Sequence, residues 1–295
     1  MFTLAHLSDP HLPPLPSVRL TELIGKRVTG YLNWRLRRGA HHSAAVLDAL
    51  TADLVAAQPD HIAVTGDLAN LALAAEFEQG RKFLARLGAP GQVTVVPGNH
   101  DAYVRGAEPM FMQSWREYLS GDETAGTPFP FLRRRGPVAL IGLSTAVPTL
   151  PFFATGRLGA DQRKRLDTLL DSLPHGQCFR VVLIHHPPAG ERPWLRRLED
   201  ADAFRAVVAR RGAELILSGH DHVAARHKIP GPHGPVPVLQ VPSASAPAGD
   251  RHGAAAYNLY RIAGTPGAWT CEIETREIGP GGAVRSLGRT PFSAA

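Results

Sequence analysis

Residues 7–12, "LSDPHL", end an apolar run that begins at Phe2, and they end it on Asp9 and His11, two positions apart. The run "FTLAHLS" is short, β-rich and stopped by polar residues, which predicts a strand. Side chains two apart on an extended chain share a face, so Asp9 and His11 can bind one ion.

Working outward, the same ending recurs. The apolar runs "HIAVTG" (61–66), "QVTVVPG" (92–98), "VALIGLS" (138–144), "CFRVVLIHH" (178–186) and "AELILSGH" (213–220) read as further strands. Asp67 follows the second strand in "TGDLAN", Asn99 and His100 follow the third in "PGNHD", and later strands end at His185 in "LIHHPP" and at His220 and His222 in "SGHDH". Between the runs, "SAAVLDALTADLVAA", "LALAAEFEQGRKFLARLG", "GADQRKRLDTLLDSLP" and "DADAFRAVVARRG" repeat apolar residues at three and four, the helical period. Past Val236 only strands follow: "PVPVLQVPS", "GAAAYNLYRIA" and "AWTCEIETREI". This order predicts an α/β fold of two facing mixed sheets with helices outside. No linker divides the chain, so residues 1–278 are expected to form a single domain, and 279–295, poor in apolar periodicity, a loose tail.

Bulk properties narrow the classes. The 295 residues are 44% hydrophobic, enough for a sizeable core, and a net charge of +6 permits nucleic acid, anionic lipid or phosphorylated substrates without choosing among them. Cys178 and Cys271 both lie in apolar strands, so neither a disulfide framework nor a thiolate metal site is expected, and a reducing compartment fits. The opening "MFTLAHLSD" lacks the basic start and apolar core of a signal peptide, which makes a cytoplasmic location the expectation. Residues 136–156 carry no charge, but Pro148 and Pro151 favour a buried strand and loop over a membrane span.

Ligands in open α/β sheets bind beyond the carboxyl ends of strands, so the polar strand ends should converge on one crevice. Carboxylate, imidazole and amide oxygen form a hard-to-borderline donor set suited to Mn, Fe, Zn or Co. The segments "DPH", "GDLAN", "GNHD", "HHP" and "GHDH", in this order from Asp9 to His222, resemble the calcineurin-like binuclear metallophosphoesterases. The "GNHD" and "HHPP" forms are most similar to the branch with class III cyclic-nucleotide phosphodiesterases and glycerophosphodiesterases.

That resemblance implies a four-layer α-β-β-α sandwich and two divalent metals, manganese favoured. It implies that Asp9, His11 and His222 hold one metal, that Asn99, His185 and His220 hold the other, and that Asp67 bridges them. His185 is taken over His186 because the family aligns the ligand two residues before proline; His186 and Asn70 are expected behind the ligands. His100 is expected to face the phosphate, stabilising charge or protonating the leaving group, with Asp101 orienting its imidazole. The implied reaction is attack of a metal-bound hydroxide on a phosphodiester or pyrophosphate bond.

Residues 18–38, "VRLTELIGKRVTGYLNWRLRR", form an insertion longer than a strand-to-helix loop needs. It is amphipathic and basic, with Lys26, Arg27, Tyr31, Trp34 and Arg35 as expected membrane or substrate contacts. The alternative is a cap packed on its own domain. The first substrate expectation is a cyclic nucleotide or other small diester. The second, from a looser resemblance to UDP-2,3-diacylglucosamine pyrophosphatases, is a nucleotide-linked lipid met at the cytoplasmic membrane face. A nuclease ranks last, for want of a base-stacking platform. The β-rich end could supply a homodimer surface.

Overall fold

The computed structural model describes residues 1–123 and 129–292. Among them, twelve strands form two sheets of six, ordered β12-β11-β10-β1-β2-β3 and β4-β5-β6-β7-β9-β8. In the first sheet β1 (Phe2–Leu7), β2 (His61–Val64) and β3 (Val93–Val95) run parallel, while β10 (Ala256–Thr265), β11 (Ala268–Ile278) and β12 (Val284–Phe292) continue it antiparallel. In the second, β5 (Val138–Gly142), β6 (Phe179–Leu183), β7 (Leu215–Ser218) and β9 (Val236–Gln240) run parallel, edged by antiparallel β4 (Phe131–Arg135) and β8 (Ala225–Ile229). The expected fold class is what is found.

The two-residue period of the strands builds the layers. Leu140, Val181, Leu183, Leu215, Leu217 and Leu239 share one core cluster with Leu4, Tyr257 and Leu259 of the first sheet. Their strand neighbours Ala139, Ile141, Val182, Ile216 and Val238 point the other way, onto α5 (Ala160–Asp171) and α6 (Ala201–Arg211) through Leu166, Leu170, Phe204 and Val208. On the opposite side, α2 (Ala44–Ala56) and α3 (Ala74–Leu87) cover the first sheet with Leu47, Leu50, Leu54, Phe77 and Leu84. Helix α2 starts on Ser43, whose hydroxyl accepts the Val46 N–H. Helix α4 (Ala107–Ser114) was not expected from the sequence and sits beside α3, where Phe111 and Trp115 meet Phe77 edge-on.

The expected loose tail is corrected. Residues 284–292 pair with β11 as an edge strand, and the end of the expected tail, 293–295, lies outside the described residues. The strand is almost wholly exposed, so the ladder of backbone hydrogen bonds holds it rather than side-chain burial, and no apolar alternation marks it. Residues 136–156 are β5 followed by a loop, as read, and no helix among the described residues is long and apolar enough to cross a membrane.

His61, at the start of β2, is fully buried with Nε2 2.7 Å from Thr94 Oγ1. Burial, and then the nearby Arg135 and Arg133, push its pKa down to about 3. The unfolded chain binds a proton near pH 6.5 that the folded chain refuses, so this residue's contribution is full above 6.5 and lost as pH falls toward 3. Replacing it should shrink the drop in urea-unfolding free energy between pH 7 and 5 by about 2 kcal/mol in His61→Leu. An unchanged pH slope would show that His61 titrates normally.

Candidate metal centre

Because β1, β2 and β3 are parallel and adjacent, as are β6 and β7, their carboxyl ends open on the same side of the sandwich. The loops that follow carry Asp9, His11, Asp67, Asn99, His185, His220 and His222, and the structure brings all seven together. Asp9, His11, Asp67, His220 and His222 have positive φ, between 38° and 73°. Non-glycine residues are held in this region only by surroundings that over-determine them, and such strain concentrates at functional sites.

Hydrogen bonds to main-chain carbonyls anchor one ring nitrogen of three imidazoles and turn the other into the site. His11 donates from Nδ1 to the Ala69 carbonyl (3.2 Å) and His185 from Nδ1 to the Thr65 carbonyl (2.6 Å), leaving Nε2 in both for the site. His220 reverses this, donating from Nε2 to the Arg196 carbonyl (2.9 Å) and leaving Nδ1. Asp9 spends Oδ2 on the Ser8 hydroxyl (2.6 Å) and the His220 N–H (2.9 Å). Its Oδ1 is buried without a hydrogen-bond partner, 3.4 Å from His222 Nε2.

Asp67 lies between the two halves. Its Oδ1 accepts the His100 N–H (2.7 Å), while Oδ2 stands 3.7 Å from His11 Nε2 and 3.4 Å from His185 Nε2. Asn99 Oδ1 is 3.2 Å from His185 Nε2. Two glycines permit this crowding: a Cβ on Gly98 would lie 2.2 Å from Asp67 Oδ1, and one on Gly219 1.8 Å from Ser8 Oγ.

The electrostatics call for positive charge. Burial opposes ionisation of Asp67, yet His185 and His100 hold its pKa well below the usual carboxylate range. Burial likewise opposes charge on His185, but Asp67 raises it to about 10. His11 Nε2 and His222 Nε2 face each other at 3.1 Å. An orphaned carboxylate oxygen, inward ring nitrogens and a shared buried aspartate fit divalent cations: Asp9, His11 and His222 would hold one, and His185 and His220 with the Asn99 amide oxygen another, with Asp67 between.

His186 is placed behind these groups, with Nδ1 2.7 Å from Thr145 Oγ1 and Nε2 3.2 Å from the Ala154 carbonyl. Asn70 acts through its backbone: its carbonyl accepts from His100 Nδ1 at 2.7 Å. The carboxylate of buried Glu76 shapes that turn by accepting the N–H groups of Asn70, Leu71 and Leu73. The expected pairing of Asp101 with the His100 imidazole is corrected. Asp101 accepts instead from the N–H groups of Gly98 (2.8 Å), Asp67 (2.9 Å) and Ala69 (2.9 Å), tying together two of the ligand loops. A carboxylate beside three loop amides is satisfied locally, which the motif alone does not reveal.

The insertion folds as a short turn and α1 (Lys26–Leu36) that packs on the domain as a cap. Most of its expected contact residues are thereby corrected. Lys26 turns inward to Thr149 Oγ1 (2.6 Å) and the Phe153 carbonyl (3.0 Å), and Arg27 donates to the carbonyls of Leu71 and Ala72. Tyr31 packs against the core, Trp34 is partly buried, and Arg35 alone of the five is exposed. The reason is Gly30, whose missing side chain lets α1 settle on Tyr103 and Leu71.

Arg38, the last residue of the basic insertion, is a site residue that the sequence reading did not single out. It leaves the end of the insertion and enters the centre, with Nη1 2.8 Å from His100 Nε2 and Nη2 3.2 Å from His11 Nε2. Its position directly after the amphipathic run was the available signal. A cavity of about 410 Å³ opens over the centre, lined by Asn33, Arg37, Arg38, Phe152, Arg196 and Arg251 among others.

Comparison with known proteins agrees with this geometry. The family profile described as calcineurin-like phosphoesterase matches residues 2–224. The fold is similar to a dimetal phosphatase from Danio rerio, at 12% identity and TM-score 0.64, covering 100% of this chain and 99% of that one. It is also similar to purple acid phosphatase PPD1 from yellow lupin (Lupinus luteus) seeds, at 12% identity and TM-score 0.57, over 94% of this chain and 51% of that one. No curated protein matches significantly. At these identities the structural likeness concerns fold, whereas the family profile spans every one of the motifs from Asp9 to His222, and the chain belongs to the calcineurin-like phosphoesterases.

Proposed function

We propose that the protein hydrolyses phosphodiester or pyrophosphate bonds in a small anionic substrate, such as a cyclic nucleotide, using two divalent metals. The observation that carries this is Asp67 Oδ2 standing between His11 and His185 beneath a cavity walled by Arg37, Arg38, Arg196 and Arg251. A space of about 410 Å³ suits a whole small ligand rather than a phosphate alone, leaving room for a substituent on each side of phosphorus. When bound, the two cations acidify water and neutralise charge on the phosphoryl oxygens.

The chain's own groups orient the substrate. His100 holds its Nδ1 proton on the Asn70 carbonyl, so Nε2 faces the cavity and accepts from Arg38. Burial, and then Arg38, lower its pKa to about 3, keeping it neutral. A phosphoryl oxygen entering between the two would take over the guanidinium's hydrogen bond from the imidazole. Arg38→Ala should lower kcat/KM about 10- to 100-fold, the loss of one charge-assisted hydrogen bond, with metal content unchanged and Arg38→Lys recovering part. Full activity in Arg38→Ala would remove Arg38 from substrate binding.

The test is hydrolysis of bis-p-nitrophenyl phosphate against p-nitrophenyl phosphate by manganese-loaded protein, with EDTA as control. Diester turnover lost in EDTA supports the proposal, and turnover of the monoester alone overturns it. Exposed Phe152 in the cavity wall favours a second reading, a substrate with an apolar arm such as the nucleotide-linked lipid UDP-2,3-diacylglucosamine.

A further inference from the structure

Docking of α1 on its own domain leaves one helix face without a partner. Val28, Leu32 and Leu36 follow one another on α1 at intervals of four and are 41, 53 and 79% exposed, and Leu20 and Ile24, in the turn just before the helix, are 87 and 73% exposed. On an α-helix that spacing makes a single stripe. The inner face holds Arg27, Gly30 and Trp34, and a third face turns Asn33 and Arg37 to the cavity.

The stripe continues onto two loops. Lys26 fastens the start of α1 to the loop carrying Leu150 and Phe152, which are 72 and 84% exposed, and Phe153 meets Trp194 (62% exposed) edge-on at 5.2 Å. Phe152 has φ of +70°, a strained conformation that holds an aromatic ring in solvent at the cavity wall. Apolar side chains from three segments thus crowd one border of the active-site mouth. Soluble monomers seldom expose such a patch without an interaction to serve.

Charge identifies the occupant. Arg19, Arg35, Arg37, Arg196 and Arg197 stand along this border and make no ion pair among the described residues. Elsewhere on the surface some guanidinium groups are matched with carboxylates, as in Arg81, Arg86, Arg211 and Arg285, and others, such as Arg105, Arg116 and Arg226, have no such match among the described residues, so what sets this border apart is unpaired guanidinium groups standing beside exposed apolar side chains. Residues 18–38 hold six basic residues against the single acid Glu22, whose carboxylate is engaged by the Arg19 N–H. Aliphatic side chains between unpaired guanidinium groups, with an indole at the edge, complement acyl chains below anionic phosphate headgroups. We infer that the stripe of α1 with the Leu150–Trp194 border docks the protein on an anionic lipid bilayer, the mouth of the metal centre facing the headgroups.

The test is cosedimentation of the manganese-loaded full chain with phosphatidylglycerol-containing vesicles and with phosphatidylcholine vesicles, before and after Ile24→Glu/Leu32→Glu. Both positions are exposed and outside the catalytic groups, so bis-p-nitrophenyl phosphate turnover should match wild type. The milder Ile24→Ser/Leu32→Ser pair guards against misfolding. Wild type should partition onto the anionic vesicles, less so at high salt, and the glutamate pair should partition at least about tenfold less. Failure of wild type to bind, or equal binding by the variant, overturns the inference. So does a dimer in solution that the glutamate pair dissociates without vesicle binding, which makes the occupant a second copy. Absent diester turnover in every protein would count against the hydrolase reading alone, because sedimentation does not depend on it.

Discussion

Asp67→Asn protein is expected to lose at least about a thousandfold in kcat on bis-p-nitrophenyl phosphate and to retain less metal than wild type. The amide keeps an oxygen for the His100 N–H, so the loop geometry survives. What disappears is the negative charge between His11 and His185, at 3.7 and 3.4 Å. In the proposed centre both cations would share that carboxylate, so its loss should weaken both, whereas substitution of Asn99 or His222 should touch only one. Metal content after gel filtration, read with single-turnover rates, checks this. Two retained metals with near-normal turnover would show that Asp67 does not bridge.

The second large effect concerns stability. Arg180 on β6 is 1% exposed, and Glu214 accepts from its Nε (2.9 Å), its Nη2 (2.8 Å) and its backbone N–H (2.6 Å). The remaining Nη1 is spent on the carbonyls of Leu173 and Arg211. Glu214→Ala leaves a buried guanidinium uncompensated, and a loss of about 3–5 kcal/mol is expected in urea unfolding. Replacing both partners by apolar residues, Arg180→Met with Glu214→Leu, should recover most of it, since the pair's worth lies largely in its mutual neutralisation. A loss below about 1 kcal/mol in Glu214→Ala would mean that water reaches Arg180. Activity per folded molecule should stay the same, because the pair lies away from the metal centre.

Much of this molecule is legible in the chain because two periods dominate it. Buried parallel strands read as continuous apolar runs, and the helices α2, α3, α5 and α6 as patterns of three and four. Short polar endings place Asp9, Asp67 and Asn99 at the carboxyl ends of parallel strands in the first sheet and His185 and His220 at those of the second. Strand β12 escaped notice because an exposed edge strand carries no apolar alternation.

The insertion shows the limit most clearly. Its amphipathicity is a property of sequence, but an amphipathic helix has a face for its own domain and a face for the outside, and composition does not label them. Gly30 against Tyr103 settles the matter by close approach, turning Lys26 and Arg27 inward and leaving Ile24, Leu32 and Leu36 in solvent. The same holds for Arg38, whose reach to His100 depends on the turn after α1 rather than on spacing.

The chain alone therefore determined the layered α/β architecture and the polar endings of its strands, because periodicity and residue chemistry are local properties written in order, while the choice of seven groups among those endings came from the resemblance of the motifs. Tertiary structure decided which lone pair each imidazole offers, that Asp101 braces loops instead of a histidine, and which side of α1 faces out. Those outcomes depend on contacts between residues tens to hundreds of positions apart, such as His220 N–H with Asp9, and no local pattern encodes them.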